Sequence, residues 1–177
     1  MSASGASDGF EALIDAARLG SPEALASLYR DHGAALYRLA YRLTGTREDA
    51  EDVVHDVFVG LPEALGRYHE RGNLPGWLRR VTARVALIRL RGRKRRHEVP
   101  LEVAESGRET PSGADGIALQ TAVNTLPDPL RVVIALKRIE GYSHREVADL
   151  LGISIGASRV RLARALKRLR QALEDGR

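Results

Sequence analysis

The residues of this chain with the strongest chemical character are charges, and they are sorted along it. Arg159, Arg161, Arg164, Lys167, Arg168 and Arg170 follow one another with no acid before Glu174. A helix that only packs intersperses acids for support at i,i+4. A run of like charge instead calls for an external anion, and the DNA major groove, wide enough to admit a helix, supplies one. Arginine also grips guanine O6 and N7 in two-pronged fashion, worth roughly 1–3 kcal/mol of discrimination per pair. A second basic series runs through Arg79, Arg80, Arg84, Arg89 and Arg91 to Arg93, Lys94, Arg95 and Arg96. Opposed to both is an acidic block, Asp49, Glu51, Asp52 and Asp56, with His55 among them. Acids suit a basic protein surface and are repelled by phosphates. The favourable dipole at a helix N-terminus is an alternative account of Asp49 and Glu51. Asp52, His55 and Asp56 lie too deep in the segment for it.

Bond-making chemistry has no comparable support. The chain contains no cysteine, which excludes disulfides, thiol catalysis and thiolate metal sites and agrees with a reducing cytoplasm. His32, His55, His69, His97 and His144 are scattered, and there is no nucleophile motif or phosphate loop. His55 near Glu51 and Asp52 lacks a second histidine at ligand spacing. No catalytic residue, metal or cofactor is expected.

Helices must position these charges. Ser21, Pro22 and Glu23 form an N-cap with proline at the first helical position. Leu25, Leu28, Tyr29, Leu36, Leu39 and Leu43 then recur at mostly three- and four-residue spacing up to Gly45. Thr46 and Asp49 resemble a capping box for a helix burying Ala50, Val53, Val54, Val57, Phe58 and Leu61, which Pro62 kinks or ends. After a loop from Arg67 to Asn73, Leu74, Trp77, Leu78, Val81, Val85 and Ile88 form one face of a further helix. Glu98 to Gly116 changes composition: Pro100, Gly107, Pro111, Gly113 and Gly116 among Glu98, Glu102, Glu105, Glu109 and Asp115 read as a linker. Beyond it, a helix from Asp128 and Pro129 stops at Gly141. Ser143 and Glu146 box the next, Gly152 turns the chain, and Ser154 caps a last helix running to about Leu173.

The pattern predicts an all-α chain of two small helical domains joined by a flexible linker, the second a helix-turn-helix. The expected bounds are a disordered tail over 1–9, a first domain over 10–97, a linker over 98–116 and a second domain over 117–177. Apolar residues make up 44% of the 177, enough for a core, and aromatic residues only 5%, so Leu, Ala and Val fill it. The formal net charge of +5 fits a polyanionic partner. No stretch approaches the roughly 18 uninterrupted apolar residues of a membrane span, so no membrane insertion is expected. Met1 to Gly9 lacks the basic and apolar regions of a signal peptide.

The run LPDPLRVVIALKRIEGYSHREVADLLGISIGASRVRLARALKRLR resembles region four of the extracytoplasmic-function (ECF) sigma factors of the sigma-70 family. LYRLAYRLTGTREDAEDVVHDVF, with GNLPGWLRRVTARVALIRLRGRKRR, resembles their region two. The resemblance implies a cytoplasmic, non-enzymatic subunit that binds core RNA polymerase through its β and β′ subunits. It implies promoter recognition and opening, with contacts to duplex DNA and to the non-template single strand. An anti-sigma factor is a common partner in the family, though no residue here specifies one. Carried over by motif, Asp49, Glu51, Asp52, His55 and Asp56 would dock polymerase. Tyr68, Asn73, Trp77, Arg80 and Arg84 would meet the minus-ten element, Trp77 equally suiting core packing. Ser154, Ala157, Ser158, Arg159, Arg161, Arg164 and Arg168 would meet the minus-thirty-five element.

The chain departs from the family pattern in several places. His55 stands for the usual Gln, Arg84 for a frequent Asn, Ile88 for a frequent Asp, Ser158 for Val and Val160 for Ser, so promoter preference does not carry over. The hydroxyl of Ser158, on the side facing the preceding helix, is expected to bond back to its own backbone. A free-standing helix-turn-helix regulator explains the second domain alone. An enzyme on a helical scaffold explains neither basic series.

Overall fold

The structure is a computed structural model that describes residues 4–69, 73–97 and 122–175. Every regular element among them is helical. The first domain comprises α1 (Ser4–Arg18), α2 (Pro22–Thr44), α3 (Arg47–Val59), α4 (Leu61–Leu65) and α5 (Leu74–His97). The second has α6 (Asp128–Ile134), widening into a π turn over Ala135–Ile139, then α7 (His144–Leu151) and α8 (Ile155–Asp175). The linker expected over Glu98–Gly116, and residues 70–72 of the loop before α5, lie outside the described residues.

The caps fall where the sequence places them. Ser21 accepts from the Ala24 N–H, and Gly45 closes α2 in the left-handed conformation. Thr46 accepts from the Asp49 N–H and donates to its carboxylate. Ser143 and Glu146 bond reciprocally, Gly152 has φ +65°, and Ser154 accepts from the Ala157 N–H. Pro62 does more than end α3: it opens the short α4, where its missing N–H costs nothing.

Three expectations change. The tail expected over 1–9 is helical from Ser4 onward, where α1 begins, and residues 1–3 lie outside the described residues. Ile14 and Ala17 of α1 are buried, and Arg18 donates to the carbonyls of Leu65 and Tyr68, pinning α1 to the chain leaving α4. Ile88 is 63% exposed, whereas Ala83, Ala86, Leu87 and Leu90 are buried. The buried stripe of α5 turns along its length because the helix packs on both α2 and α3. Ser158 is fully buried but bonds to His144 Nδ1 at 2.9 Å rather than to its own helix backbone.

Leu28, Leu36, Leu39, Leu43, Val53, Val57 and Leu78 fill the first core, and Val133, Leu136, Val147, Leu162, Ala165 and Leu169 the second. Each such Leu or Val side chain contributes about 1.5–3 kcal/mol on leaving water. The two domains also pack on each other, α6 against α2 and α7 against α5.

Candidate protein and nucleic-acid interfaces

The acidic block is built by α3 and held by α5. Arg89 Nε donates to Asp49 Oδ1 at 3.0 Å, its Nη2 meets the Asp52 carboxylate, and its Nη1 lies 3.7 Å from Asp56 Oδ2. Arg93 Nη1 donates to Asp49 Oδ2 at 3.0 Å. Burial alone would raise the Asp49 carboxyl, but the bonds from Arg89 and Thr46 and the charge of Arg93 hold it below the usual carboxylate range. Asp49 is 20% exposed and fully engaged, so it organises the block rather than facing a partner. Asp52, His55 and Asp56 remain exposed, as does Glu51, which pairs with Arg47 at 2.8 Å.

Beside these acids runs a groove of about 1020 Å³ between α2 and α3, lined by Leu25, Tyr29, Gly33, Val54, Phe58 and Val59 among others. The sequence pattern places Tyr29 and Phe58 in the core. Instead Tyr29 is 55% exposed and meets Phe58 edge-on at 5.0 Å, forming a wall of the groove. The legible signal is the small residues Ala26, Gly33 and Ala34 alternating with Leu25 and Tyr29 along α2: they leave a trough that large side chains would fill.

The second surface is partly built into the fold. Tyr68 is buried with its ring 5.1 Å from that of Trp77, which packs on the core, so the pair forms a wall rather than an exposed stacking platform. Asn73 caps α5, its Oδ1 accepting from the Gly76 N–H at 3.1 Å. Arg84 is exposed and Arg80 half-buried; with Tyr142, Glu146, Asp149 and Leu150 they line a cleft of about 240 Å³ between α5 and α7.

The third surface is α8. Arg159, Arg164 and Arg168 are exposed, and Ala157 and Arg161 half-buried. Ser154 serves as the cap, and Ser158 faces α7 and is occupied by His144. Desolvation and the nearby charges of Lys137, Arg159 and Arg138 hold the His144 imidazole below its ordinary pKa, favouring the neutral ring that shares a hydrogen bond with the Ser158 hydroxyl. Ser158 therefore ties the helix-turn-helix together instead of facing a groove. Among the described residues no cluster of three or more His, Asp or Glu is arranged to hold a metal ion, and no helix is long and apolar enough to cross a membrane.

The family profile for sigma-70 region 2 matches residues 28–96, and that for sigma-70 region 4 matches residues 116–169. The chain is 35% identical over 155 residues to the ECF RNA polymerase sigma factor SigE of Mycolicibacterium smegmatis, covering 82% of this chain and 60% of that protein. It is 32% identical over 162 residues to the ECF RNA polymerase sigma factor SigM of Mycobacterium tuberculosis, covering 91% of this chain and 83% of that protein. Among solved structures, the sigma factor RpoE of Bartonella quintana, in complex with the anti-sigma factor NepR, is similar with a TM-score of 0.60 and 26% identity, over 81% of this chain and 92% of that one.

Proposed function

The chain belongs to the ECF branch of the sigma-70 family, sigma factors that direct promoter recognition and transcription initiation, and from that premise we propose how its surfaces divide the work. Members of the family are not normally enzymes. The first domain, over 10–97, docks core polymerase and engages the minus-ten element; the second, over 117–177, engages the minus-thirty-five element. The protein acts in the cytoplasm.

The observation that carries this reading is the separation of charge between α3 and α8. The exposed acids Asp52 and Asp56, with His55, flank an apolar groove, which suits a basic and partly apolar protein surface. That surface belongs to the polymerase β′ subunit, with the β subunit meeting the second domain. Arg159, Arg161, Arg164 and Arg168, on a helix free of acid until Glu174, suit duplex DNA. Arg80 and Arg84 hold the phosphates of the opened region, while Tyr68 and Trp77 shape the wall behind the loop that receives the non-template strand. An anti-sigma factor, the partner named for the Bartonella protein, competes for the α2–α3 groove. A free-standing regulator has no use for that groove.

Charge reversal at Asp52 would set a new cation against Arg89 and disturb the fold. Asp56→Ala and Val59→Asp avoid this. Each weakens binding to core polymerase on the order of tenfold, as for loss of a charge pair or insertion of a charge at an apolar rim. The melting temperature of the free protein stays within a few degrees of wild type. Titration of labelled protein with core enzyme checks it; wild-type affinity in both variants contradicts the docking assignment.

A further inference from the structure

Packing fixes which side of α8 is free to meet DNA. Ser158, Leu162, Ala165 and Leu169 are buried, and their three- and four-residue spacing makes one continuous packed side. The 2.9 Å hydrogen bond between His144 Nδ1 and Ser158 Oγ holds that side against α7. Val160, two residues beyond Ser158 at about 100° per residue, falls on the opposite side of the helix. Its surface neighbours, three and four positions away, are Gly156, Ala157, Ala163 and Arg164. The first three are too small to cover it, and Val160 is 49% exposed.

An exposed apolar side chain is ordinary in itself. The place of Val160 is not. Ile155, also exposed on α8, lies three residues before Ser158 and seven before Leu162, so it extends the packed side. Val160 stands instead at the middle of the outward side. The exposed Arg159 and Arg164 flank it, and Lys167 follows two turns on. A bare packing helix gains nothing from a β-branched residue there, where Ala is the better helix former.

The chemistry open to that position is narrow. Arginine and lysine are long cations that reach phosphates or guanine edges from the flanks. Valine is short and has no donor or acceptor. The base edges of the major groove present polar atoms, and the one apolar group among them is the C5 methyl of thymine. Against cytosine the same side chain desolvates the N4 amino group without a partner; against a purine it does so to N7. We infer that Val160 is a specificity-determining residue, packing on the C5 methyl of one thymine in the minus-thirty-five element. Arg164 lies one turn away, ~6 Å along the axis, so this thymine is about one or two base pairs from the pair that Arg164 addresses. The inference rests on the sigma-factor reading and deepens it by giving one base to one side chain. Relatives often carry a serine hydroxyl here, so the chemistry read at this base is this chain's own.

The test uses the full chain and compares thymine with uracil, which lacks only the methyl. Duplexes retained by the chain from a randomised pool, and promoters it uses with core polymerase from a randomised library, supply the templates. Each thymine of the shared element is replaced singly by uracil. Wild type is expected to lose affinity about fourfold at one position, the scale of one buried methyl group. Val160→Ala puts the strongest helix former at an exposed site, so the fold is kept. The variant binds the thymine duplex about fourfold more weakly than wild type and no longer distinguishes thymine from uracil at that position. Uracil sensitivity that persists undiminished in Val160→Ala reports DNA shape rather than contact and overturns the assignment. An element with no uracil-sensitive thymine overturns it equally. Transcription with core polymerase is measured on the same templates. If Val160→Ala abolishes the thymine dependence of binding but no template is transcribed, the contact stands and the sigma-factor reading fails. If transcription proceeds and the variant keeps full uracil sensitivity, the reading stands and the contact fails.

Discussion

Arg89→Ala destabilises the first domain by about 1–3 kcal/mol at neutral pH, between the values for exposed and buried ion pairs. The arginine faces Asp49, Asp52 and Asp56 at once, so its loss leaves three neighbouring carboxylates without the cation that gathers them. The effect depends on pH with a definite sign. The Asp49 carboxyl is held below its ordinary value of 3.8, so its contribution to stability is complete above that value and disappears as pH falls through the lower, folded-state value. Wild type and variant therefore differ most near neutral pH and converge as pH falls through the folded-state value of the Asp49 carboxyl. Urea unfolding across this range measures the difference; a constant gap from neutral to acid pH would show that Arg89 acts through packing and not through the acids.

Arg161→Ala combined with Arg164→Ala lowers the affinity of the protein for a minus-thirty-five duplex by about a hundredfold, if each arginine contributes near the lower end of a specific base or phosphate interaction. The slope of log affinity against log salt falls by about one unit for each phosphate no longer neutralised. Arg164 is exposed and Arg161 half-buried on the same face of α8, and neither has a resolved part in the core. Binding at several salt concentrations, with core polymerase present, separates the two quantities. An unchanged slope places the DNA-facing side of α8 elsewhere, with Arg159 and Arg168 the next to examine.

The elements that local chemistry defines were readable from the residues themselves. Ser21 before Pro22, Thr46 before Asp49, Ser143 with Glu146, and Gly152 each act within four residues, and each is found in its cap or turn. What depended on distant partners was not readable. The placement of α1 rests on the burial of Ile14 and Ala17, on its packing against α4 and α2, and on Arg18 reaching carbonyls some fifty positions on. The exposed side of Ile88 follows from α5 packing on two helices at once, which no single helical period describes.

The candidate sites divide in the same way. The arginine face of α8 is a property of one helix and was legible. That Asp49 is consumed by Arg89 and Arg93, that Ser158 belongs to His144, and that Tyr68 is a buried wall are pairings between segments. Arg131 is the sharpest case. Nothing within the run LRVVIALKR marks its first arginine as buried; it is buried because it caps the carbonyls of Leu43 and Thr44 on α2.

The central claim is that this one chain supplies core polymerase with promoter specificity through two surfaces. Transcription in vitro by core polymerase, with and without the protein, on a library randomised over both upstream elements tests it most directly. The account predicts transcripts that depend on the added protein and come from templates sharing two sequence elements, centred near minus ten and minus thirty-five. Tight duplex binding by the protein alone, with no protein-dependent transcript from any template in the library, would contradict it.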